Sequence, residues 1–280
     1  MSRALVSELF PDLRPQHVVT IEEGWDSLVL DVDGEWIVRV PRRDPVRECI
    51  EMELRLLPEL APALPVPVPR FEHLADGVRA VAYRKLDGAP VDVSRVAPAA
   101  ALGRFLSALH EFPVERAREL GAPSHDHGWR ERYESFARGL LGRVGSMLGD
   151  DCNRAEAMLS DFLDDPSNFE FTPRLIHADL GPAHILARED ELTGVIDWSD
   201  ARIGDPALDL AWALHATPPA FARAVLAGYG SDDGSLAERA LFFHRLGPWY
   251  ELHYGVHFHQ PAYVESGLAG VRSRLPAALR

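Results

Sequence analysis

Lysine is almost missing from this sequence: Lys85 stands alone against 28 arginines in 280 residues. A permanent positive charge in residues 1–84 must therefore be a guanidinium, a planar and always ionised donor. The two cysteines, Cys49 and Cys152, lie far apart and make no disulfide framework, as in a reducing cytoplasm. No apolar run reaches the ~18–20 residues that a membrane span requires. The first residues, MSRALVSELFPDLRPQ, lack a basic region, an apolar stretch and a small-residue cleavage site. A cytoplasmic protein with no membrane partner is expected. Net positive charge is lacking too. The formal charge is −14, which excludes a general nucleic-acid binder. The acidity serves solubility and would also attract a cationic ligand. It is uneven: residues 87–280 hold 28 acids against 18 bases. No internal repeat, low-complexity tract or G-x-G-x-x-G loop is present.

What is present is ordinary globular chain, 46% hydrophobic and 26% charged. It is long enough for one large domain or two intimate lobes. VVTIEEG and SLVLDVDGEWIVRVPRR read as strands, with Asp33-Gly34 as a hairpin turn. PVRECIEMELRLLPEL has helical spacing, with Ile50, Leu54 and Leu57 on one face. The proline-dense stretch APALPVPVPRFEHL is expected to be extended. A strand follows at VRAVAYRKL, punctuated by Asp87-Gly88. Beyond it helical patterns dominate, interrupted by PRLIHADLGPAHILARED and LTGVIDWSDARIGDP, which hold short strands and loops. The expected class is α+β. A small strand-rich lobe of residues 1–86, a hinge at about residues 83–87 and a helical lobe of residues 87–280 would enclose a cleft.

Two segments carry most of the chemistry: HADLGPAHIL (residues 177–186) and VIDWSDARIGDPALDLAW (residues 195–212). Asp179 falls in a loop after Leu175-Ile176-His177. Asp197 follows Val195-Ile196 at a strand end. A hairpin between residues 186 and 195 would bring His184 to Asp197. The result is one compact site, with a carboxylate for base work and a His/Asp pair for a metal. Transfer of a γ-phosphoryl group needs both, a carboxylate to receive or orient the acceptor proton and Mg²⁺ to neutralise phosphate charge. Magnesium prefers oxygen ligands, so the carboxylate is the stronger member of the pair.

These segments resemble the catalytic and metal-binding loops of the aminoglycoside/macrolide phosphotransferase family, relatives of the protein kinases. The family's catalytic loop reads H-x-D-x-x-x-x-N. Here it begins at His177, carries Asp179, and ends in His184 instead of asparagine. That histidine resembles the aminoglycoside 2″- and macrolide 2′-phosphotransferase branches, some of which favour GTP. Asp197-Trp198-Ser199 resembles the kinase D-F-G. The resemblance implies a protein-kinase-like two-lobe fold, ATP or GTP as donor, Mg²⁺ on His184 and Asp197, and Asp179 as catalytic base. It places Arg39 of WIVRVPRR at the position of the family's phosphate-contacting lysine, with Glu53 as its helix partner. Ser27 would lie in a turn over the triphosphate with Gly24, Trp25 and Asp26. Tyr83, Arg84 and Lys85 would set backbone groups against the nucleobase.

Other residues carry structural expectations. His177 would hold the loop by packing and hydrogen bonds. Asp205 and Asp209 resemble the family's loop-bracing and helix-start acids. Asp200 and Glu251 read as surface acids that could also face a cationic substrate. The run with His253, His257 and His259 reads as a packed helix face rather than a metal site. Three functions follow in order. The first is an enzyme phosphorylating a hydroxyl of a cationic antibiotic, aminoglycoside or macrolide, and so conferring resistance. The second is a kinase of a sugar, amine or amino alcohol. The third is a non-catalytic nucleotide-binding or sequestering protein, which the presence of both Asp179 and Asp197 disfavours.

Overall fold

The computed structural model describes residues 2–23, 26–124, 128–231 and 233–277. Helix α1 (Ser2–Leu9) leads into strands β1 (Val18–Glu23), β2 (Ser27–Val32) and β3 (Trp36–Pro41). Asp33 and Gly34, at φ 58° and 71°, turn β2 back on β3, the left-handed pair that a tight hairpin demands. Helix α2 (Asp44–Leu60) crosses to β4 (Phe71–Leu74) and β5 (Val81–Arg84). The antiparallel sheet has the order β1-β2-β3-β5-β4. One apolar cluster lies between this sheet and α1.

The proline-dense stretch is not extended throughout. Ala61–Ala63 form a short 3₁₀ turn that prolongs α2, because Pro62 sits in a first turn, where its missing N–H and fixed φ do no harm. The chain then crosses to the helical part, where the Pro67 carbonyl accepts from Val195 N at 2.9 Å. Met52, Leu56, Leu57 and Leu60 of α2 belong to the same core as the helices that follow. Arg55 Nε donates to the Leu120 carbonyl at 2.9 Å, a second tie across the two parts.

The remainder comprises β6 (Ala89–Pro90), α3 (Ala97–Glu111), α4 (Val114–Glu119), α5 (Trp129–Leu148) and α6 (Cys152–Leu163). Then come β7 (Arg174–Ile176), the hairpin of β8 (Ile185–Arg188) and β9 (Glu191–Val195), and β10 (Arg202–Gly204). Helices α7 (Ala207–His215), α8 (Pro219–Tyr229), α9 (Leu236–His257) and α10 (Pro261–Arg274) close the chain. Helices α3 and α8 cross almost backbone to backbone: a Cβ at Gly103 would lie 2.1 Å from the Val225 carbonyl oxygen. Among the described residues no helix is long and apolar enough to cross a membrane.

Candidate active site

The β8–β9 hairpin pairs Ile185 with Val195, so the residues just outside it, His184 and Asp197, end up side by side. Ile196 N donates to the His184 carbonyl at 2.9 Å and extends the pairing by one step. Asp197 has φ 64° and Ala178 has φ 69°, left-handed conformations uncommon away from glycine. Such strain persists only where the surroundings hold it. At Ala178 the holder is Asp209, whose carboxylate accepts Ala178 N at 2.7 Å and His177 N at 2.8 Å. At Asp197 the next residue does the work. Trp198 is fully buried, donates Nε1–H to the Val195 carbonyl at 3.0 Å and packs on His177.

His177 is fully buried, and burial pushes its imidazole below the ordinary value, so the ring is neutral. Nε2–H donates to the Ile196 carbonyl at 3.0 Å and joins the loops of Asp179 and Asp197. Asp209 is itself held by His110 Nε2 at 3.2 Å, and His110 Nδ1 lies 2.8 Å from the Tyr229 hydroxyl. The tight α3–α8 crossing thus places the brace beneath the loop. Burial opposes the Asp209 charge, but His110, His177 and these hydrogen bonds hold its carboxyl below the usual range. Asp205 accepts Ala207 N at 2.9 Å at the start of α7 and pairs with buried Arg239 at 2.8 Å.

Asp179, His184 and Asp197 offer ligand atoms that all lie within 4.8 Å of one another. His184 Nδ1 lies 2.7 Å from the Asp179 carbonyl oxygen, which can only accept, so Nδ1 carries the proton. In the neutral ring the Nε2 lone pair then faces Asp197 Oδ2, 3.7 Å away. An imidazole lone pair and a carboxylate oxygen this close to each other fit a divalent cation. Asp179 opens to a cavity with 57% of its side chain exposed. Even so, the loss of water around it pushes its carboxyl up to about 6, with His184 opposing and Asp200 and Asp197 adding to the rise.

Arg39 and Glu53 are both buried and meet at 2.8 Å. Ser199 completes a triangle: Arg39 Nη2 donates to its hydroxyl at 2.6 Å, and the hydroxyl lies 3.0 Å from Glu53 Oε1. Burial works against both charges, but the Glu53 and Asp197 carboxylates hold the Arg39 proton more tightly than usual. Ser27 begins β2, buried, with no hydrogen-bond partner for its hydroxyl among the described residues. Gly24 and Trp25, expected in the same turn, lie outside the described residues. Tyr83 and Arg84 belong to β5 rather than to a connector. Arg84 lies over Trp36 and pairs with Glu35, and Lys85 Nζ pairs with Asp31 at 2.6 Å.

Two cavities meet at the triad. One, of about 310 Å³, is lined by Ile37, Arg39, Tyr83, Lys85, His184 and Asp197. The other, of about 450 Å³, is lined by Asp179, Asp200, Arg202, Trp212, Tyr250 and Arg274. Sequence reasoning missed Ser199 as a partner of Arg39, and it missed Arg202, Trp212, Tyr250 and Arg274. Only Pro248 inside α9 gave a local sign, since it leaves the His244 carbonyl without its helical donor. Glu251 accepts from Ser266 at 2.6 Å, and His253 and His257 stack on each other along α9.

A model of the phosphotransferase enzyme family matches residues 17–242. The structure superposes on the GDP and kanamycin complex of an aminoglycoside 2″-phosphotransferase with a TM-score of 0.87, at 26% identity over 97% of both chains. It superposes on a macrolide 2′-phosphotransferase of Brachybacterium faecium with a TM-score of 0.78, at 27% identity over 100% of this chain and 99% of that one. In sequence, a homoserine kinase of Rhodopseudomonas palustris (strain BisB18) is 33% identical over 152 residues. That stretch is 49% of this chain and 43% of that kinase, so this chain spans under half the length of that relative.

Proposed function

This chain belongs to the phosphotransferase enzyme family, and from that premise we propose that it transfers the γ-phosphoryl group of ATP or GTP to a hydroxyl of an amine-bearing small molecule. One observation carries the reading: a cavity on each side of a single carboxylate–imidazole cluster, as transfer between two bound molecules requires. Residues 1–86 and 87–280 are the two lobes, joined by the segment that follows β5, beginning at Lys85. The smaller cavity takes the nucleotide, against Tyr83 and Lys85 of its lining; Arg84, held over Trp36 and Glu35, and buried Ser27 stand outside that lining. Arg39, oriented by Glu53 and Ser199, donates to a phosphate oxygen.

Asp197 and His184 would hold Mg²⁺, which neutralises phosphate charge when bound. Asp179 accepts or orients the acceptor proton as the acceptor oxygen bonds to the γ-phosphorus and the bond to the leaving diphosphate breaks. A carboxyl near 6 is ionised at neutral pH and still a better base than an ordinary carboxylate. Asp209 and His177 keep that carboxylate in place.

The first acceptor class is a cationic antibiotic of the aminoglycoside or macrolide type, with resistance as the outcome. Likeness to enzymes of both kinds and the acidity of residues 87–280 support it. The second is a small amino alcohol. The acceptor cavity supports it against a polycation, since its lining holds as many guanidiniums as carboxylates and so no net negative charge. A coupled nucleotide-turnover screen tests the reading, with ATP and GTP against aminoglycosides, macrolides, basic peptide antibiotics, neutral sugars and amino alcohols. Turnover of none of them, with no nucleotide bound, would overturn it.

A further inference from the structure

The wall of the larger cavity holds a guanidinium that no carboxylate neutralises among the described residues. Arg274, the last residue of α10, turns back across α9, and its Nη1 donates to the His244 carbonyl at 2.5 Å. That carbonyl is available because Pro248, four residues on, has no N–H. The guanidinium lies close over Gly247, where an added Cβ would come within 3.1 Å of Nη1. Glu251 acts on Arg274 only through space, and its own carboxylate receives Ser266. A second guanidinium in the lining, Arg202, stands 3.8 Å from Asp200, beyond hydrogen-bond reach.

A half-buried guanidinium fixed by one hydrogen bond keeps its other donors for a ligand. Those donors match a planar carboxylate or a phosphate in pairs. The same charge in the cavity wall repels a polycation. We propose that this end of the acceptor cavity is an anion subsite, in which Arg274, with Arg202 in the same lining, holds a carboxylate or phosphate carried by the acceptor alcohol. The acceptor hydroxyl faces Asp179, and an amine, where there is one, meets Asp200. The acceptor class is then a small hydroxy acid, amino-hydroxy acid or phosphorylated alcohol. Burial together with Arg274 pushes His244 down to about 4, so this histidine adds no charge of its own to the subsite. The proposal rests on the phosphotransferase reading and turns its small-molecule acceptor into one that carries an anion, with or without an amine.

The test uses the full chain and paired probes that differ only in the anion. Homoserine is set against 3-aminopropan-1-ol, and glycerol 3-phosphate against propane-1,2-diol. Binding is read by calorimetry and transfer by coupled nucleotide turnover. At least one anionic probe should bind and react about 10- to 100-fold better than its partner, the range expected for hydrogen bonds to a charged group. The pair that shows the preference tells carboxylate from phosphate. Arg274→Gln should abolish the preference through KM rather than kcat. Arg274→Lys keeps the charge and a donor for the His244 carbonyl, and should retain part of it. Equal binding of both members in both pairs overturns the subsite. So does phosphorylation of an aminoglycoside or macrolide that Arg274→Gln leaves unchanged. Either result leaves phosphotransfer standing, whereas failure of ATP and GTP to bind removes the reading beneath it.

Discussion

His184 sets its Nε2 3.7 Å from Asp197 Oδ2, while Nδ1 is committed to the Asp179 carbonyl. In the neutral tautomer, an Nε2 lone pair and a carboxylate this close repel unless a cation or a proton lies between them. Asp197→Ala should therefore weaken Mg²⁺-dependent nucleotide binding by about 10-fold or more, and His184→Ala should weaken it less, since Mg²⁺ prefers oxygen. Calorimetric nucleotide titrations with and without Mg²⁺ read this directly. Wild-type magnesium dependence in Asp197→Ala would rule the pair out as ligands.

Asp179→Asn should cut turnover by about 10²- to 10⁴-fold, the usual contribution of a general base, with nucleotide affinity kept. The pH profile carries a sign. The carboxyl is raised to about 6 and must be ionised to take a proton, so kcat/KM should fall as pH drops through about 6. A profile flat from pH 5 to 8 would sink the base assignment.

Arg39 and Glu53 form a buried pair, so removing one partner strands the other. Arg39→Ala should cost about 3–5 kcal/mol of stability, and Arg39→Lys less. Both should lower nucleotide affinity, because Lys cannot reach the phosphate, Glu53 and Ser199 as a planar fork does. Chemical denaturation and nucleotide titration separate the two effects. A stable Arg39→Lys with unchanged affinity would remove Arg39 from the phosphate site.

Asp209 braces two backbone N–H groups beneath Asp179. Asp209→Ala leaves both unpaired, at about 1–3 kcal/mol each, and should lower kcat more than it changes nucleotide affinity. Its folded pKa lies below the ordinary carboxylate value. Its stabilisation is therefore complete above that ordinary value and is lost as pH falls toward the depressed one. The gap in thermal midpoint between wild type and Asp209→Ala should narrow from pH 7 to pH 3. A constant gap would show that the carboxylate charge does not contribute.

Some of the site was open to reading because it is local. Asp179 and His184 share a loop, and one short hairpin separates His184 from Asp197, so strand period and turn signals sufficed to join them. The order of strands, then helices, was legible from periodicity for the same reason. The 3₁₀ turn at Ala61–Ala63 was not, since proline tolerates either a first helical turn or extended chain, and packing of α2 decides which.

What the sequence by itself determined is the identity of the candidate groups and the loops that hold them: an acid after His177, an acid after Ile196, and arginine where lysine is missing. What only the tertiary structure decided is what each group faces. Ser199 reaches a pair formed 146 and 160 residues earlier. His110 reaches Asp209 across 99 residues. Arg274 enters the larger cavity because α10 lies along α9 and Pro248 frees one carbonyl there. Short-range spacing encodes dihedral angles and faces. Contacts between distant segments arise from the packing of whole elements, which no local pattern records.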